Sequence, residues 1–451
     1  MFQPLRLPAF RRLYTAQVVA NFGDGLDYLA IITIVVFQWH RGPADVGLLA
    51  LAGAAPMVLG APAIGLVADR FQPRTVMFGA NVVRALAIAG ITLTTNFPLL
   101  CVLSALATFC GGVFNAAEQR FIRYRVSDDM LLRTNSLRSI TERMLTGLAG
   151  PGIAAVMIGL WNARVTLLIC SALFLVAGLL VWVIGTIEPD DTGDDRPEPW
   201  RKRISAAWSV VRGNPPLRLT VAAVALAYLF STMFEIMVPV WYREMGAGPG
   251  FTGSAMVCMG VGGGLGALLL SRIGDRFNLL LVMAASALTI GTLVGAMGFA
   301  GYADLGSIVG IWLVVAALIG VGSAAATIAY GTLVQRLTPA HLMGRVGAMT
   351  GAAITVPVVI GPAIAPILAP SLGINGIFLL SGSGILVVGL VLLVRGPAYR
   401  DAVLPKKQPG PPAEPAAEAD AASAPAAGPV PASGTPAASL AEPVEARTVD
   451  R

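Results

Sequence analysis

Long uncharged runs, separated by short charged or Pro/Gly-rich segments, dominate the chain. No charged side chain occurs within residues 46–68, 85–117, 277–303, 305–335 or 346–394. A helix that crosses a membrane needs roughly 20 mostly apolar residues, so each of these runs is long enough to span. Divided at the charged and Pro/Gly-rich segments, the chain has twelve predicted spans, at about 14–39, 44–68, 75–95, 98–120, 136–160, 164–187, 217–242, 250–272, 278–300, 304–335, 342–369 and 373–395.

The composition agrees with this pattern, because 56% of the 451 residues are hydrophobic and only 12% are charged. A water-soluble fold of this size needs a more strongly charged surface. The first span contains Asp24 and Asp27 and has no clear cleavage site, so we expect a retained helix rather than a signal peptide. The sequence therefore predicts an all-α membrane protein with twelve transmembrane helices.

The distribution of basic residues sets the orientation. The chain has 31 lysines and arginines and a net charge of +6. With both termini on one side of the membrane, only Arg41, Arg164 and Arg243 fall in loops on the other side. The positive-inside rule then makes the terminal side cytoplasmic. We predict a multi-pass protein of the cell (inner) membrane, and the basic excess gives no reason to expect a nucleic-acid partner.

Two segments lack the span pattern. Between spans six and seven, the acidic linker EPDDTGDDRPEP is followed by Trp200, Ile204, Trp208 and Val211 at helical spacing, which is typical of a helix on a membrane surface. After Tyr399 the chain has no aromatic residue and is rich in Pro and Ala, a composition that does not fold alone. We predict an N-terminal six-helix bundle (1–187), a cytoplasmic linker with an amphipathic helix (188–216), a C-terminal six-helix bundle (217–395) and a disordered cytoplasmic tail (396–451).

The chain contains an internal repeat. A shift of 206 residues aligns Asp69-Arg70-Phe71 with Asp275-Arg276-Phe277, and a shift of 211 residues aligns Gly150-Pro151 with Gly361-Pro362. Two nearly equal shifts in the same order indicate two related halves. Parallel halves related by an axis along the membrane normal are the architecture of transporters whose central cavity opens alternately to each side. The sequence predicts this architecture, with two pseudo-symmetric six-helix bundles.

The repeated tripeptide falls in the short cytoplasmic loop between the second and third span of each half. Asp69 lies beside Arg70 and Arg74, and Asp275 lies beside Arg276. A carboxylate next to arginines or a helix N-terminus can hold the cytoplasmic ends together and release them, so we predict that these loops act as gates. A plain topogenic charge cluster is the alternative, although it does not explain an acid at the same place twice.

These residues resemble the major facilitator superfamily. GLVADRFQPR (residues 65–74) is similar to its loop motif Gly-x-Leu-Ala-Asp-Arg-x-Gly-Arg-Arg, and GLAGPGIAA (residues 147–155) is similar to the exporter motif of its fifth helix. The resemblance covers residues 5–395 and implies the major facilitator fold. Small residues such as Gly147 and Gly150 permit close helix packing. We also predict Gly-Pro helix bends at Gly147, Gly150 and Pro151 in the first half and at Gly361 and Pro362 in the second.

Further short motifs resemble the macrolide-efflux and enterobactin-exporter branch of this superfamily. They are Gly23-Asp24, residues 112–116, residues 132–137 and Gln335-Arg336-Leu-Thr-Pro339 with Gly344-Arg345. The arginine that many proton antiporters carry early in the fourth helix is absent, because residues 105–107 are Ala-Leu-Ala. The resemblance to the macrolide-efflux and enterobactin-exporter branch implies that the protein exports its substrate.

The first span carries a polar face. Gln17, Asn21, Asp24 and Tyr28 recur at spacings of four, three and four, and Asp27 flanks them. A charge at mid-bilayer costs roughly 2.5–3.5 kcal/mol on insertion scales, so we expect this face to line the cavity. Like charges one turn apart disfavour joint ionisation, and we therefore predict a proton-coupling site here.

Other charged residues fall within the spans. Arg84 either pairs with Asp24 or Asp27 or extends to the inner membrane surface. Glu235, which shares a helical face with Tyr228, is the candidate of the second half for protonation or for contact with a charged substrate. We interpret Glu118 and the Glu142-Arg143 pair, which lie nearer the inner ends, as structural ion pairs.

Several functional classes lack their residues. An ATP-driven pump needs a phosphate loop, and none of the three lysines, Lys202, Lys406 and Lys407, follows a glycine. His40 and His341 fall at opposite membrane faces, which disfavours a His-paired nucleophile or a His-rich metal site. The four cysteines lie in spans without metal-ligand spacing. We expect no enzyme activity, no metal, no disulfide and no cofactor.

We therefore predict a monomeric secondary transporter that exports amphiphilic small molecules, of drug or siderophore type, by proton-coupled alternating access. Its partners are the small-molecule substrate, protons and the lipid bilayer. Two alternatives stay open. One is an uptake permease for a small solute, and the other is a non-transporting membrane scaffold that uses the 188–216 loop or the tail.

Overall fold

A computed structural model describes residues 5, 7–126, 128–184, 208–273, 277–303, 309–338 and 343–399. Most of the predicted linker, the residues Asp275 and Arg276, and the predicted tail beyond residue 399 lie outside the described residues. Within the described ranges the ordered elements are helices, with no strand. Helices are expected, because lipid offers no partner to backbone N–H and C=O groups and each span must satisfy them internally.

The N-terminal half contains eight helical segments. They are α1 (Pro8–Ile32), which continues as a π-helical turn (Thr33–Gln38), α2 (Pro43–Leu59), α3 (Ala61–Arg70), α4 (Pro73–Leu93), α5 (Phe97–Arg125), α6 (Asp128–Met144), which continues as a second π-helical turn (Leu145–Ala149), α7 (Gly150–Leu160) and α8 (Ala163–Trp182). Asparagine caps two of them: Asn96 accepts from the Leu99 N–H at 3.2 Å, and Asn162 from the Val165 N–H at 2.9 Å.

The C-terminal half contains α9 (Pro215–Glu235), α10 (Val238–Glu244), α11 (Pro249–Ile273), α12 (Leu279–Tyr302), α13 (Val309–Leu337) and α14 (Met343–Arg395). Asn214 and Asn278 cap α9 and α12. Residues 208–213 are also helical, and Val211 is buried against Leu217 and Val334 of this half. Only this end of the predicted amphipathic helix is described.

Nine helices in the described residues are long and apolar enough to cross a membrane, or ten if α2 and α3, which meet at 55°, count as one span. The sequence predicts twelve spans, and two features account for the difference. α14 contains two predicted spans, which meet at Gly373, where φ is +68°, a value that glycine adopts readily. The predicted fifth span corresponds to α6 and α7. Charged residues such as Glu142 make α6 too polar to be counted as a membrane-spanning helix. The all-α membrane fold is confirmed, and the helices are consistent with twelve crossings.

Consecutive spans cross the layer of helices in opposite directions. We call the face at Pro8, where α1 begins, the proximal face, and the face at Gln38, where its π-helical turn ends, the distal face. The end of α10, at Arg243, and the start of α11 lie at the distal face, because both contact distal segments of the N-terminal half.

Two contacts between the halves reproduce the symmetry of the sequence. Gly47 on α2 packs so closely on α14 that a Cβ atom there would overlap the ring of Pro366. Gly253 on α11 packs equally closely on α7, where a Cβ atom would overlap the side chain of Ala155. Gly253 is Gly47 shifted by 206 residues, and Pro366 is Ala155 shifted by 211 residues. The two halves are therefore pseudo-symmetric in space and meet through equivalent surfaces.

Buried apolar clusters differ between the two faces. The largest cluster joins both halves towards the distal face and includes Leu29 and Trp241. Towards the proximal face, one cluster around Phe10 and Phe121 stays within the N-terminal half, and another around Leu280 stays within the C-terminal half. Over the described ranges, the halves are sealed together distally and share no buried cluster proximally.

Candidate functional site

A cavity of about 740 Å³ lies between the two halves. Its polar lining residues are Asn21, Asp24, Asp27, Tyr28, Arg84, Ser104, Thr108, Asn115, Glu142 and Thr146 from the N-terminal half, and Thr232, Glu235 and Thr355 from the C-terminal half. The remaining wall consists of apolar residues and glycine. Because the halves are sealed only at the distal side, the cavity opens towards the proximal face.

Asp24 and Arg84 form an ion pair in the cavity wall. Arg84 Nη2 donates to Asp24 Oδ1, and the guanidinium lies over the ring of Phe174, with Cζ 3.9 Å from the ring centroid. Arg84 is 6% exposed, whereas the side chain of Asp24 is 35% exposed. The pair is therefore accessible from the cavity through its carboxylate. Of the alternatives that the sequence left open, Arg84 adopts the pairing with Asp24.

Asp27 lies one turn beyond Asp24 on α1 and lines the same cavity. Its side chain makes no ion pair within the described residues. Two carboxylates therefore lie near one guanidinium, and only one of them has its charge neutralised by direct contact. Asp27 is thus the cavity carboxylate of α1 that no arginine contacts directly within the described residues.

Glu235 is the one acidic residue that the described part of the C-terminal half contributes to the cavity wall. It is the last residue of α9, and its side chain is exposed to the cavity. One turn earlier, the hydroxyl of Thr232 lies 3.3 Å from the carbonyl oxygen of Pro357 on α14. Gly361 makes this approach possible, since a Cβ atom there would overlap the Thr232 hydroxyl. The contact between α9 and α14 thus fixes the helix end that carries Glu235.

The structure places six of the eight predicted cavity residues in the cavity wall and two elsewhere. Gln17 is 4% exposed, and its Oε1 atom lies 3.4 Å from Nε of Arg138 inside the N-terminal half. Tyr228 is partly buried against the C-terminal cluster around Leu280. Both residues share a helical face with cavity residues, but they lie nearer the proximal ends of their helices, where neighbouring helices cover that face.

Glu118 belongs to a second ion pair, which is enclosed within the N-terminal half. Arg138 Nη2 on α6 donates to Glu118 Oε2 on α5, and the two side chains are 9% and 0% exposed. Sequence reasoning interpreted Glu118 as part of an ion pair but did not identify its partner, because the two residues lie on different helices. Glu142, one turn from Arg138, lines the cavity and was missed as a candidate site residue.

At the proximal end of α3, Asp69 and Arg70 are exposed. Arg120 on α5 donates to the backbone carbonyls of Ala68 at 2.8 Å and Asp69 at 2.9 Å, and so caps the C-terminus of α3. The carboxylate of Asp69 makes no ion pair within the described ranges.

The second basic residue of this loop, Arg74, lies over the ring of Trp182, with Cζ 4.3 Å from the centroid. Asp275 and Arg276 of the second copy are outside the described residues. The role of both loops as gates therefore stays a prediction.

The Gly/Pro segment of the fifth predicted span adopts an irregular helix. Gly147 lies in the π-helical turn Leu145–Ala149, and Gly150 and Pro151 begin α7 directly after it. A Cβ atom on Gly150 would overlap the backbone of Gly25, so glycine at both positions lets α1 and α7 cross at close range. In the second half, Gly361 approaches α9 closely, and the adjacent Pro362 lines the cavity.

The sequence model of the Major Facilitator Superfamily matches residues 13–248 and, a second time, residues 220–439. The two matches together include both halves. They agree with the resemblance that the loop and helix motifs indicate.

Individual relatives align with most of the chain. The uncharacterized MFS-type transporter YfiS of Bacillus subtilis is 27% identical over 394 residues, which are 85% of this chain and 92% of that protein. Macrolide efflux protein A of Streptococcus pyogenes is 22% identical over 397 residues, which are 85% and 94% of the two chains. A crystal structure of a bacterial homolog of the human lysosomal transporter Spinster, inward-facing and unoccupied, aligns with a TM-score of 0.62 at 12% identity. That alignment covers 89% of this chain and 97% of the other, and shows that the fold is shared.

Proposed function

We propose, from the premise that this chain belongs to the major facilitator superfamily, that it exports amphiphilic small molecules from the cytoplasm in exchange for protons. Membership rests on the family match over both halves, and it makes the protein a membrane carrier of small molecules. Direction, coupling ion and substrate class are the parts that we add.

The orientation follows from the basic residues. Loops at the proximal face carry most of the lysines and arginines, so this face is cytoplasmic by the positive-inside rule. The cavity then faces the cytoplasm, the distal seal faces the outside, and the protein acts as a monomer in the cell membrane. A cavity open to the cytoplasm is where an exporter takes up its substrate.

The observation that carries the proposal is the group of Asp24, Arg84 and Asp27 in the cavity wall. Exchange requires a group that binds a proton from the outside and releases it inside. Asp27 has this role, because its carboxylate makes no ion pair within the described residues. Since Asp27 lines the cavity, it is exposed to the side of the membrane to which the cavity is open. Arg84, held by Asp24 and the ring of Phe174, supplies a fixed positive charge that stabilises the carboxylate left behind when the proton leaves.

The cavity wall suits amphiphilic molecules. A volume of about 740 Å³ lies in the range of roughly 300–1,000 Å³ found for drug-sized ligands. The C-terminal side is apolar except for Glu235 and two threonines, so it accommodates an apolar body with a cationic or neutral polar group directed at Glu235. Similarity to Macrolide efflux protein A supports export as the direction.

A proton gradient is a sufficient energy source. One charge crossing 100 mV releases roughly 2.3 kcal/mol, which supports a substrate concentration ratio of about fifty. Binding and release of one proton per cycle at Asp27 therefore suffices for useful export.

Transport into inverted membrane vesicles tests the proposal. An imposed proton gradient is expected to drive accumulation of a fluorescent amphiphile in the native protein and not in the Asp24→Asn or Asp27→Asn variants. Asp45→Asn is the matched control, because Asp45 forms a surface pair with Arg41 at 3.5 Å, a type that contributes little. Unaltered gradient-driven accumulation in both cavity variants would remove these residues from the mechanism.

A further inference from the structure

The distal end of α1 leaves a backbone carbonyl without a helical partner. Residues 33–38 form a π-helical turn in which the N–H of Trp39 bonds to Ile34 and the N–H of Arg41 bonds to Val35. His40 follows with a φ of +49°, a left-handed conformation that ends the helix. The carbonyl of Val36 is thereby left to find another donor, as the last carbonyls of any helix must.

Arg243 from the opposite half supplies that donor. Its Nη1 atom lies 2.7 Å from the carbonyl oxygen of Val36 and 2.9 Å from that of Arg41. The guanidinium also places a positive charge at the carboxyl end of α1, where the helix dipole is negative. The cap of α1 is therefore part of the C-terminal half.

The segment that carries Arg243 is held rigidly within its own half. Trp241, two residues earlier on α10, is fully buried, and its ring stacks on Phe378 and meets Trp312 edge-on, with centroids 5.6 and 5.0 Å apart. Its indole Nε1 donates to Asn375 Oδ1 at 3.1 Å. Arg243 thus cannot follow α1 when the halves separate distally, and its two hydrogen bonds must break.

The contact has no symmetric copy. The residue that corresponds to Arg243 under the 206-residue shift is Phe37, whose side chain has no group that donates a hydrogen bond. The packing contact of Gly47 has a symmetric counterpart at Gly253, whereas the hydrogen bonds of Arg243 have no counterpart in the part of the chain that the structure describes. It therefore adds a stabilising interaction specific to the closed distal face.

We propose that Arg243 caps the carboxyl end of α1 only while the distal face is closed, and so holds the protein in the state whose cavity opens proximally. The proposal concerns the balance between two conformations and does not depend on which substrate or ion is carried. Removal of the guanidinium orphans the Val36 carbonyl in the closed state and shifts the population towards the distally open state. One hydrogen bond to a charged donor typically corresponds to about tenfold or more in an equilibrium constant.

Distances between spin labels in lipid nanodiscs test this shift without substrate or gradient. The full chain carries labels at Thr95 and Ser371, exposed distal positions in the two halves, with its four native cysteines replaced. We expect the ratio of long to short distal distances to rise about tenfold in Arg243→Gln and by less in Arg243→Lys, which retains the positive charge. A proximal label pair at Gln72 and Arg395 should report the reverse change.

Arg164→Gln is the matched control, because Arg164 is an exposed arginine at the same face and makes no hydrogen bond or ion pair with the other half within the described residues. Unchanged distal distances in folded Arg243→Gln, or an equal shift in Arg164→Gln, would overturn the proposal. If Arg243→Gln fails to fold, the Arg243→Lys variant decides, since its distances must also shift if the cap acts as described. If Arg243→Gln loses transport while its distal label distances stay unchanged, this proposal is wrong, but the proposed exchange mechanism is not affected.

Discussion

The N-terminal and C-terminal halves have one helical scaffold and different interiors. The described interior of the N-terminal half contains two ion pairs, one on the cavity wall and one fully enclosed. In the C-terminal half, the 206-residue shift places Phe230 at the position of Asp24 and Ile290 at that of Arg84. The 211-residue shift places Ala329 at the position of Glu118 and Met349 at that of Arg138. In the opposite direction, Glu235 has the buried Leu29 as its counterpart.

This difference separates what the fold needs from what the function needs. Packed apolar side chains are sufficient to build one half, so the buried charges of the other half are not required by the scaffold. Buried charges are costly unless paired, and an apolar pair of similar volume is often as stable. We therefore expect the charges of the N-terminal half to serve the proposed proton and substrate handling, whereas the described part of the C-terminal half contributes a mostly apolar wall with a single acid.

The enclosed pair gives the largest expected effect. Glu118→Gln leaves Arg138 buried without a counter-charge, which costs about 3–5 kcal/mol. The measurement is the thermal unfolding midpoint of purified protein in detergent, which should fall by many degrees. The double variant Glu118→Ala with Arg138→Met carries the residues that the other half has, and it should recover most of the loss. A double variant no more stable than Glu118→Gln would show that the halves do not tolerate the same packing.

The paired glycine contacts give an intermediate effect. Gly253→Ala places a methyl group against Ala155 across the interface, and overpacking of this kind costs roughly 1–3 kcal/mol. Because only the closed distal face contains this contact, the variant should increase the long-distance fraction of the Thr95 and Ser371 labels.

Two further variants sharpen that experiment. Ala155→Gly combined with Gly253→Ala exchanges the two side chains and should restore much of the native distribution. Gly264→Ala, on the same helix, has no atom within 4 Å of the added Cβ and is the control. A Gly253→Ala distribution identical to that of Gly264→Ala would contradict the close contact.

The smallest effect is expected at Glu235. Glu235→Gln removes the negative charge that the C-terminal half adds to the cavity, and should weaken binding of a lipophilic cation about tenfold, or roughly 1.4 kcal/mol. A neutral apolar molecule of similar size should bind as before. Titration of each ligand into purified protein measures both values. Equal weakening for the two ligands would assign Glu235 to the shape of the cavity rather than to its charge.

The scaffold was predictable from the sequence because lipid permits few alternatives. Uncharged runs of sufficient length must become helices. Most helix ends in the structure lie within about five residues of the predicted spans, but α1 begins at Pro8 rather than at 14 and α6 at Asp128 rather than at 136. The repeat shifts of 206 and 211 residues relate the contact of Gly47 to that of Gly253, although nothing in the sequence showed that these glycines touch Pro366 and Ala155.

The site was predictable along each helix and not between helices. Helical spacing placed Asn21, Asp24 and Tyr28 on one face, and the structure brings all three to the cavity. The same spacing also favoured Gln17, which a neighbouring helix covers. Pairing of Arg138 with Glu118 and capping of α1 by Arg243 depend on the rotation and depth of separate helices, which composition and spacing do not specify.

The ring of Phe174 has a consequence for the electrical behaviour of the carrier. The face of the ring covers the Arg84 guanidinium, and the Asp24 carboxylate binds Nη2 of the same guanidinium. Gly23 has no side chain and so leaves space for the ring. The positive charge of Arg84, the basic residue of the described cavity wall, is thereby held in place within its half. Under the proposed exchange, we expect any current that accompanies turnover to report the passage of protons and substrate. A preparation with neither should show no displacement of arginine charge across the bilayer field.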